Sequence, residues 1–216
     1  MSPSRPTPPA ARVCILLMLT LWLGACAKEK DLTHVVRISV PQQRLAVYDL
    51  GHEVARYTIS TSKFGVGDVP GSNCTPLGAL EVAQKIGTGA PLGMKFKSRC
   101  PTGEIVKVNA PGRDPVVTRI LWLRGLEPQN SNAFNRMIYI HGTPEECRLG
   151  TPSSFGCIRM RSKDVVSLYD RLGKGARVEI LTTALPKTRP FKALENGPAD
   201  AANVTAQARL TTESRN

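Results

Sequence analysis

The 216-residue chain carries 29 Lys and Arg against 17 Asp and Glu, a formal net charge of +12, and 41% of its residues are hydrophobic. That length and apolar content suffice for one ordinary domain with a buried core plus tails. Pro and Gly together make 35 of 216 residues, too few and too irregular for a collagen-like or wholly low-complexity chain, and in keeping with a loop-rich, mostly β domain.

The first residues speak to compartment. Arg5 and Arg12 form a positive leader without an acid, followed by the apolar run "VCILLMLTLWL" from Val13 to Leu23. That run is too short to span a bilayer comfortably and fits the apolar region of a secretory signal. The sequence "LGAC" ending at Cys26 resembles the lipobox of bacterial lipoproteins, which implies cleavage after residue 25 and a lipid on Cys26. Ala27, not aspartate, follows it; in Gram-negative lipoproteins of this type that implies the inner leaflet of the outer membrane, facing the periplasm. Loss of Arg5 and Arg12, with no acid, takes the charge from +12 to +10. A basic surface suits nucleic acid, anionic lipid or an anionic wall polymer, and equally a merely solvated face. Export and the lack of a nucleic-acid module exclude the first.

Residues 26–34 read as a tether and 35–182 as one domain. Alternating side chains mark strands at "VVRISV", "RLAVYDL" and "VARYTIS", with "PQQ" and "LGHE" as turns. The stretch from Lys63 to Leu80, "KFGVGDVPGSNCTPLGAL", suits a loop wrapping a site, and it lacks the spacing of a phosphate loop. Strands resume at "ALEVAQKI", "VVTRILWL" and "MIYIHG". One helix is predicted from an N-cap at Ser162, with Asp164 in its first turn, Val165, Leu168, Tyr169 and Leu172 on its apolar face and Gly173 as its stop. "ARVEIL" closes the sheet, and residues 183–216 read as a disordered tail. His34 and His52, in the tether and a turn, take no role.

His141 ends the apolar run "MIYI", and Cys157 lies sixteen residues later, after Gly156. A thiol of pKa ~8.5 is only slightly ionised at neutral pH, so cysteine attack on an acyl carbon needs a base or a positive dipole. His141 is the candidate base, Gly142 a sharp turn behind it, and the amides of Gly156 and Cys157 candidate oxyanion donors. Ser154 is placed to hydrogen-bond the turn, and Arg159 to hold a thiolate or a substrate carboxylate. Against this stands the commoner structural use of a histidine and a buried cysteine. His141, Cys147 and Cys157 have neither a CxxC nor an HExxH spacing, so no metal is assigned. Cys74, Cys100 and Cys147 remain for one disulfide in an oxidising compartment; the pair is not fixed by sequence, and Cys74 with Cys100 is favoured because both sit in Gly/Pro-flanked segments. A Cys147–Cys157 bond would inactivate the site.

"HGT", a linker and "SFGCIRM" resemble the signature of the YkuD-type L,D-transpeptidases, His-Gly followed by Ser-His-Gly-Cys, an apolar residue and Arg. "ISTSKFGVGDVPGSNCTPLG" is similar to the family's "ST…TPxG" region, and "TRILWLRGLE" to a segment of a proteobacterial branch. Phe155 stands where the family most often has His, which puts acceptor choice in question. The resemblance implies a mainly β fold, a sandwich of mixed sheets with a short helix after the cysteine and the site in a cleft under a loop. It implies Cys157 as nucleophile, His141 as base, and Gly156, Ser154 and Gly142 as oxyanion or shaping residues. The implied reaction joins the stem tetrapeptide of peptidoglycan to Cys157 as a thioester, releases D-alanine and passes the acyl group to an amine, with no metal or organic cofactor. Arg159, Arg119 and Arg124 are candidates for stem carboxylates, although Arg119 and Arg124 more readily read as snorkelling from a strand beside Trp122. Tyr139 and Trp122 read as core, and Thr75 and Gly78 as turn residues. Two alternatives stay open: hydrolysis of the same thioester, as a carboxypeptidase or an endopeptidase releasing wall-linked protein, and a non-catalytic wall-binding lipoprotein.

Overall fold

The computed structural model describes residues 29–112 and 114–187. The expected leader, Cys26 and most of the expected tail lie outside the described residues. The chain divides into two units, Met1–Leu185 and Pro186–Asn216, and every element named here belongs to the first.

Alternation of apolar and polar side chains produces an antiparallel meander of β1 (His34–Ser39), β2 (Arg44–Asp49) and β3 (His52–Ser60). After the long loop come β4 (Gly78–Ile86), a hairpin of β5 (Met94–Lys97) and β6 (Cys100–Ile105), then β7 (Val117–Gly125) and β8 (Tyr139–Gly142). Strand β9 (Ile158–Met160), helix α1 (Ser162–Arg171) and β10 (Arg177–Leu181) complete the domain. The strands run in the order β4-β10-β1-β2-β3-β9-β8-β7-β5-β6, and β4 also pairs with β7. Among the described residues the fold is therefore mainly β with one short α-helix, its sheet ends joined by the β4–β7 pairing and the β5–β6 hairpin appended to β7. Pairing is mixed: β1 with β10 and β8 with β9 are parallel.

The sheet separates two apolar clusters. The main core takes Ile38, Leu45, Leu80, Leu121, Ile140, Ile158 and Met160 from the strands and Val165, Leu168 and Tyr169 from α1. Full burial of such side chains stabilises by roughly 1.5–3 kcal/mol each. A smaller cluster of Phe96, Ile120 and Tyr139, with Met94, Trp122 and Cys157 packed on it, uses side chains of the opposite parity on β7 and β8. The site forms on this second face.

Several local expectations are corrected. Ser162 is the first helical residue, not the N-cap; Arg161 holds that position without a side-chain cap. The Ser162 amide instead donates to Glu146 Oε1 at 3.0 Å, and its hydroxyl meets Thr118 Oγ1 at 2.8 Å. The cap is thus supplied by a carboxylate from a distant turn. The tether is anchored before residue 34: Asp31 exchanges backbone and side-chain bonds with Lys174 O and Gly173 N, and His34 already belongs to β1. At the other end, Thr183 O accepts from Ser39 Oγ and Leu185 is buried, so contacts with the domain continue past residue 182. Cys74, Cys100, Cys147 and Cys157 are all free thiols, and the favoured Cys74–Cys100 bond is not formed. Cys100 lies on the exposed strand β6, whereas Cys74 Sγ turns back within its own loop to Phe64 O at 3.2 Å.

Candidate active site

Register places the reactive side chains. In the parallel pair β8–β9, Ile140 stands beside Ile158 and His141 beside Arg159. Ile140 and Ile158 belong to the main core, so by strand alternation His141 and Arg159 point to the other face. Cys157, one residue before β9, shares that parity, and it packs against the Ile120–Tyr139 cluster. A cysteine and a histidine therefore occupy adjacent strands, diagonal to one another on one face.

His141 is 4% exposed. Its Nδ1 lies 2.8 Å from Gly142 O; a carbonyl only accepts, so Nδ1 holds the proton and Nε2 is the basic nitrogen. Burial lowers the His141 pKa; the Gly142 carbonyl and Asp114 oppose that shift, and Arg159 adds to it. The resting ring is neutral.

The Cys157 thiol is pushed up to about 11, chiefly by burial, against the pull of a backbone bond from Tyr139 and the charges of Arg136 and Arg159, with Asp114 pushing it further up. Its Sγ lies 3.4 Å from Met137 O. Burial of both groups therefore favours the neutral pair, thiol and imidazole, over thiolate and imidazolium.

The loop before Cys157 is braced from two directions. Ser154 Oγ donates to Cys157 O at 2.5 Å and accepts from the Gly156 amide at 3.2 Å. Thr75 Oγ1 donates to Gly156 O at 3.0 Å and accepts from the Ser62 amide at 3.0 Å. Thr75, read from sequence as a turn residue, thus ties the long loop to the nucleophile's loop, and a bridge between Ser62 and Ser154 runs alongside. Gly156 has φ +116°, a backbone state that side-chain-bearing residues avoid. Its amide donates to Ser154 Oγ, so the expected oxyanion donor is engaged within its own loop. Gly142 is not a turn either. It ends β8 in ordinary strand geometry, and a Cβ there would meet Val117 O at 2.7 Å, so glycine is required by space.

Of the three arginines proposed for substrate carboxylates, none presents an unengaged head to the cysteine. Arg159, 3% exposed, donates Nη1 to Asp114 and to Glu145 at 3.1 Å and Nη2 to Ser153. Arg119 reaches Ala90 O at 2.6 Å and Thr118 O at 2.7 Å and lies over the Tyr169 ring. Arg124 pairs with Glu81 at 3.5 Å and rests on Phe134. The residues missed in the sequence are Asp114 and Glu145, which hold Arg159, and Arg136, which binds Asp68 at 2.7 Å and Cys74 O at 2.7 Å. No local pattern marks them, because each acts on a partner far along the chain. Phe155 is 64% exposed; its ring lies 5.4 Å from that of Phe64, and Lys63 Nζ sits 4.4 Å above it. Phe155 and Lys63 border a cleft of about 630 Å³ lined also by Asp114, Glu145, Ser153 and Arg159.

A mixed β domain with a buried histidine and a half-buried cysteine on neighbouring strands is the class of protein that fold and site define. Residues 33–180 match the model of the YkuD family, the L,D-transpeptidase catalytic domain, and the chain belongs to that family. It is 24% identical over 151 residues to the probable L,D-transpeptidase YcfS of Escherichia coli K12, a match covering 68% of this chain and 44% of the relative. The chain therefore spans less than half of that relative's length. Similar solved structures include an L,D-transpeptidase from Mycobacterium smegmatis, 14% identical, with a TM-score of 0.46 over 69% of this chain and 58% of the other. Another is L,D-transpeptidase 3 from Mycobacterium tuberculosis in complex with a faropenem-derived adduct, 19% identical, TM-score 0.45, covering 68% and 60%.

Proposed function

We propose that the protein is a cysteine L,D-transpeptidase acting on peptidoglycan stem tetrapeptides. Family membership supports the reaction class. The observation that carries the mechanism is the shared face of Cys157 and His141, with the imidazole neutral and its Nδ1 proton held by Gly142 O.

As Sγ bonds to the carbonyl carbon of the third stem residue, His141 Nε2 takes the thiol proton; a high thiol pKa makes this transfer part of the attack and not a prior equilibrium. The Cys157 amide is the remaining donor, of the two expected, for the oxyanion. Collapse breaks the carbon–nitrogen bond, His141 returns the proton to the departing nitrogen, and D-alanine leaves behind a thioester. An acceptor amine then attacks the thioester carbonyl and His141 takes its proton. The Cys157 sulfur leaves and is reprotonated. Export through the leader and lipid attachment at Cys26 are proposed on the lipobox alone, and they would place this chemistry at the periplasmic wall.

Incubation of the purified protein and a Cys157→Ala variant with disaccharide tetrapeptides, read by mass spectrometry, tests the reading. Cross-linked dimers with loss of D-alanine are expected from the native protein only. Tripeptide monomers alone would replace transfer by hydrolysis, and absence of any Cys157-dependent product would sink the enzymatic reading.

A further inference from the structure

Arginines near the nucleophile differ in how their charge is met. Arg159 and Arg136 are buried on carboxylates, and Arg119 is spent on backbone carbonyls. Arg99 is different. It sits half-buried at the tip of the β5–β6 hairpin, where Lys97 pairs with Cys100 and the two residues between them form the turn. Its guanidinium carbon lies 4.8 Å above the Trp122 ring, and Nη1 is 3.5 Å from Tyr139 Oη and 3.6 Å from Met137 Sδ. These are long contacts to a phenol and a thioether, and none supplies a negative charge.

The same two residues also frame the nucleophile: Cys157 Sγ lies 3.4 Å from Met137 O and receives the Tyr139 amide. Arg99 and Cys157 thus meet at Met137 and Tyr139. A half-desolvated guanidinium with an aromatic floor and, among the described residues, no carboxylate paired to it is a built receptor for a planar anion.

The backbone agrees. Ser98 has φ +49° and Arg99 φ +69°. A two-residue hairpin turn with both central residues at positive φ favours Asn-Gly, and a long side chain at the second position is strained. Arginine is held there against local preference.

We propose that Arg99 receives the terminal carboxylate of the donor's leaving residue. The inference rests on the transpeptidase reading. In the donor, that carboxylate is one residue beyond the attacked carbonyl, within about 3.6 Å along the chain, so a cation that shares Met137 and Tyr139 with the nucleophile is placed to meet it. Pairing there aligns the scissile bond and selects donors that end at this residue over longer ones.

The test compares a tetrapeptide donor bearing its free C-terminal carboxylate with the same donor as a C-terminal amide, in the native protein and in Arg99→Gln and Arg99→Lys. A native preference for the free acid of roughly 10- to 100-fold in kcat/KM is expected, the worth of a charge-assisted hydrogen bond. In Arg99→Gln the ratio collapses toward one, chiefly through loss of the free-acid rate; Arg99→Lys retains part of the preference. Circular dichroism and thermal unfolding matching the native protein show that the variants are folded. A ratio in Arg99→Gln equal to the native one overturns the inference while leaving the transpeptidase reading intact. Failure of the native protein to turn over either donor overturns both.

Discussion

His141 and Arg159 are Cα partners in the parallel pair β8–β9, and through this pairing the histidine lies beside a cation held by Asp114 and Glu145. Arg159 lowers the imidazole pKa and Asp114 raises it, so this carboxylate and the guanidinium act on the base in opposite senses. Replacing Arg159 by Met removes the lowering charge and leaves Asp114 without this cation, while Glu145 keeps Arg148 at 3.3 Å. The His141 pKa then rises, and the acid limb of kcat/KM moves to higher pH. Asp114→Asn shifts it the other way. Imidazole titration followed by NMR reads both directions, and parallel shifts would refute the arrangement. Arg159→Met also breaks a buried ion pair, at a cost of about 3–5 kcal/mol.

A second prediction concerns pH. His141 has its pKa depressed below 6.5, so the base form persists at pH 6.5 and kcat/KM falls only at lower pH. The folded state gains from this neutral ring above the unfolded value of 6.5, and the gain is lost as pH falls through the lower folded value. The Cys157 thiol, raised from 9.0 to about 11, contributes stability below 9.0 that is lost as pH rises through about 11. Alkylation of Cys157 by iodoacetamide in the absence of donor should climb steadily across pH 8 to 10, roughly tenfold per unit. A plateau near neutrality would instead establish a resting thiolate ion pair.

The Thr75 hydroxyl is the link between the long loop and the nucleophile's loop. Thr75→Val keeps its shape and leaves Gly156 O and the Ser62 amide without this partner, costing about 1–3 kcal/mol. Urea denaturation measures that loss. Turnover should fall further than stability does, because the loop that positions Cys157 is loosened; Thr75→Ser, which restores the hydroxyl, should recover most of it.

Much of the domain was legible in the sequence, and the exceptions share a physical cause. Strands β1, β2, β3, β4, β7 and β10 follow their alternation, and Cys157 and His141 stand out as candidates by residue type, glycine neighbours and the resemblance of their two motifs. Strands β5 and β6 were missed because every residue of β6 is exposed and β5 is bulged, so neither shows a period of two. Strand β9 was missed because its three residues are all buried, Arg159 included. The cap of α1 comes from Glu146, the clamp on Arg159 from Asp114 and Glu145, and the brace on Gly156 from Thr75. Each joins positions that only the closed sheet brings together, and no local window contains both partners.

Phe155 replaces the family's more frequent histidine at an exposed position, packed on Phe64 and under Lys63. Its ring contacts are with Phe64 and Lys63, not with His141. Phe155→His should leave stability within about 0.5 kcal/mol and leave D-alanine release near its native rate. The change is expected in the partition between acceptor amine and water, measured as the ratio of cross-linked to tripeptide product. A large loss of D-alanine release would place Phe155 in the first chemical step instead.

Gly142 gives the sharpest steric prediction. A methyl group at this position would lie 2.7 Å from Val117 O, 3.1 Å from Thr118 Cβ and 3.2 Å from Val165 Cγ1. The first of these is backbone at a bulge where β7 skips register and Thr118 takes φ +72°, so it yields poorly. Gly142→Ala must therefore push β8 away from β7 or α1, at roughly 1–3 kcal/mol for an overpacked site. His141 precedes Gly142 and bonds its carbonyl, so the displacement reaches the base directly. Thermal unfolding should show the loss of stability, and Cys157-dependent turnover should drop with it; Gly51→Ala, strained by φ +85° at an exposed turn, should lower stability without lowering turnover. Small effects of Gly142→Ala on both measurements would mean that the β7–β8 contact has room that the structure does not show.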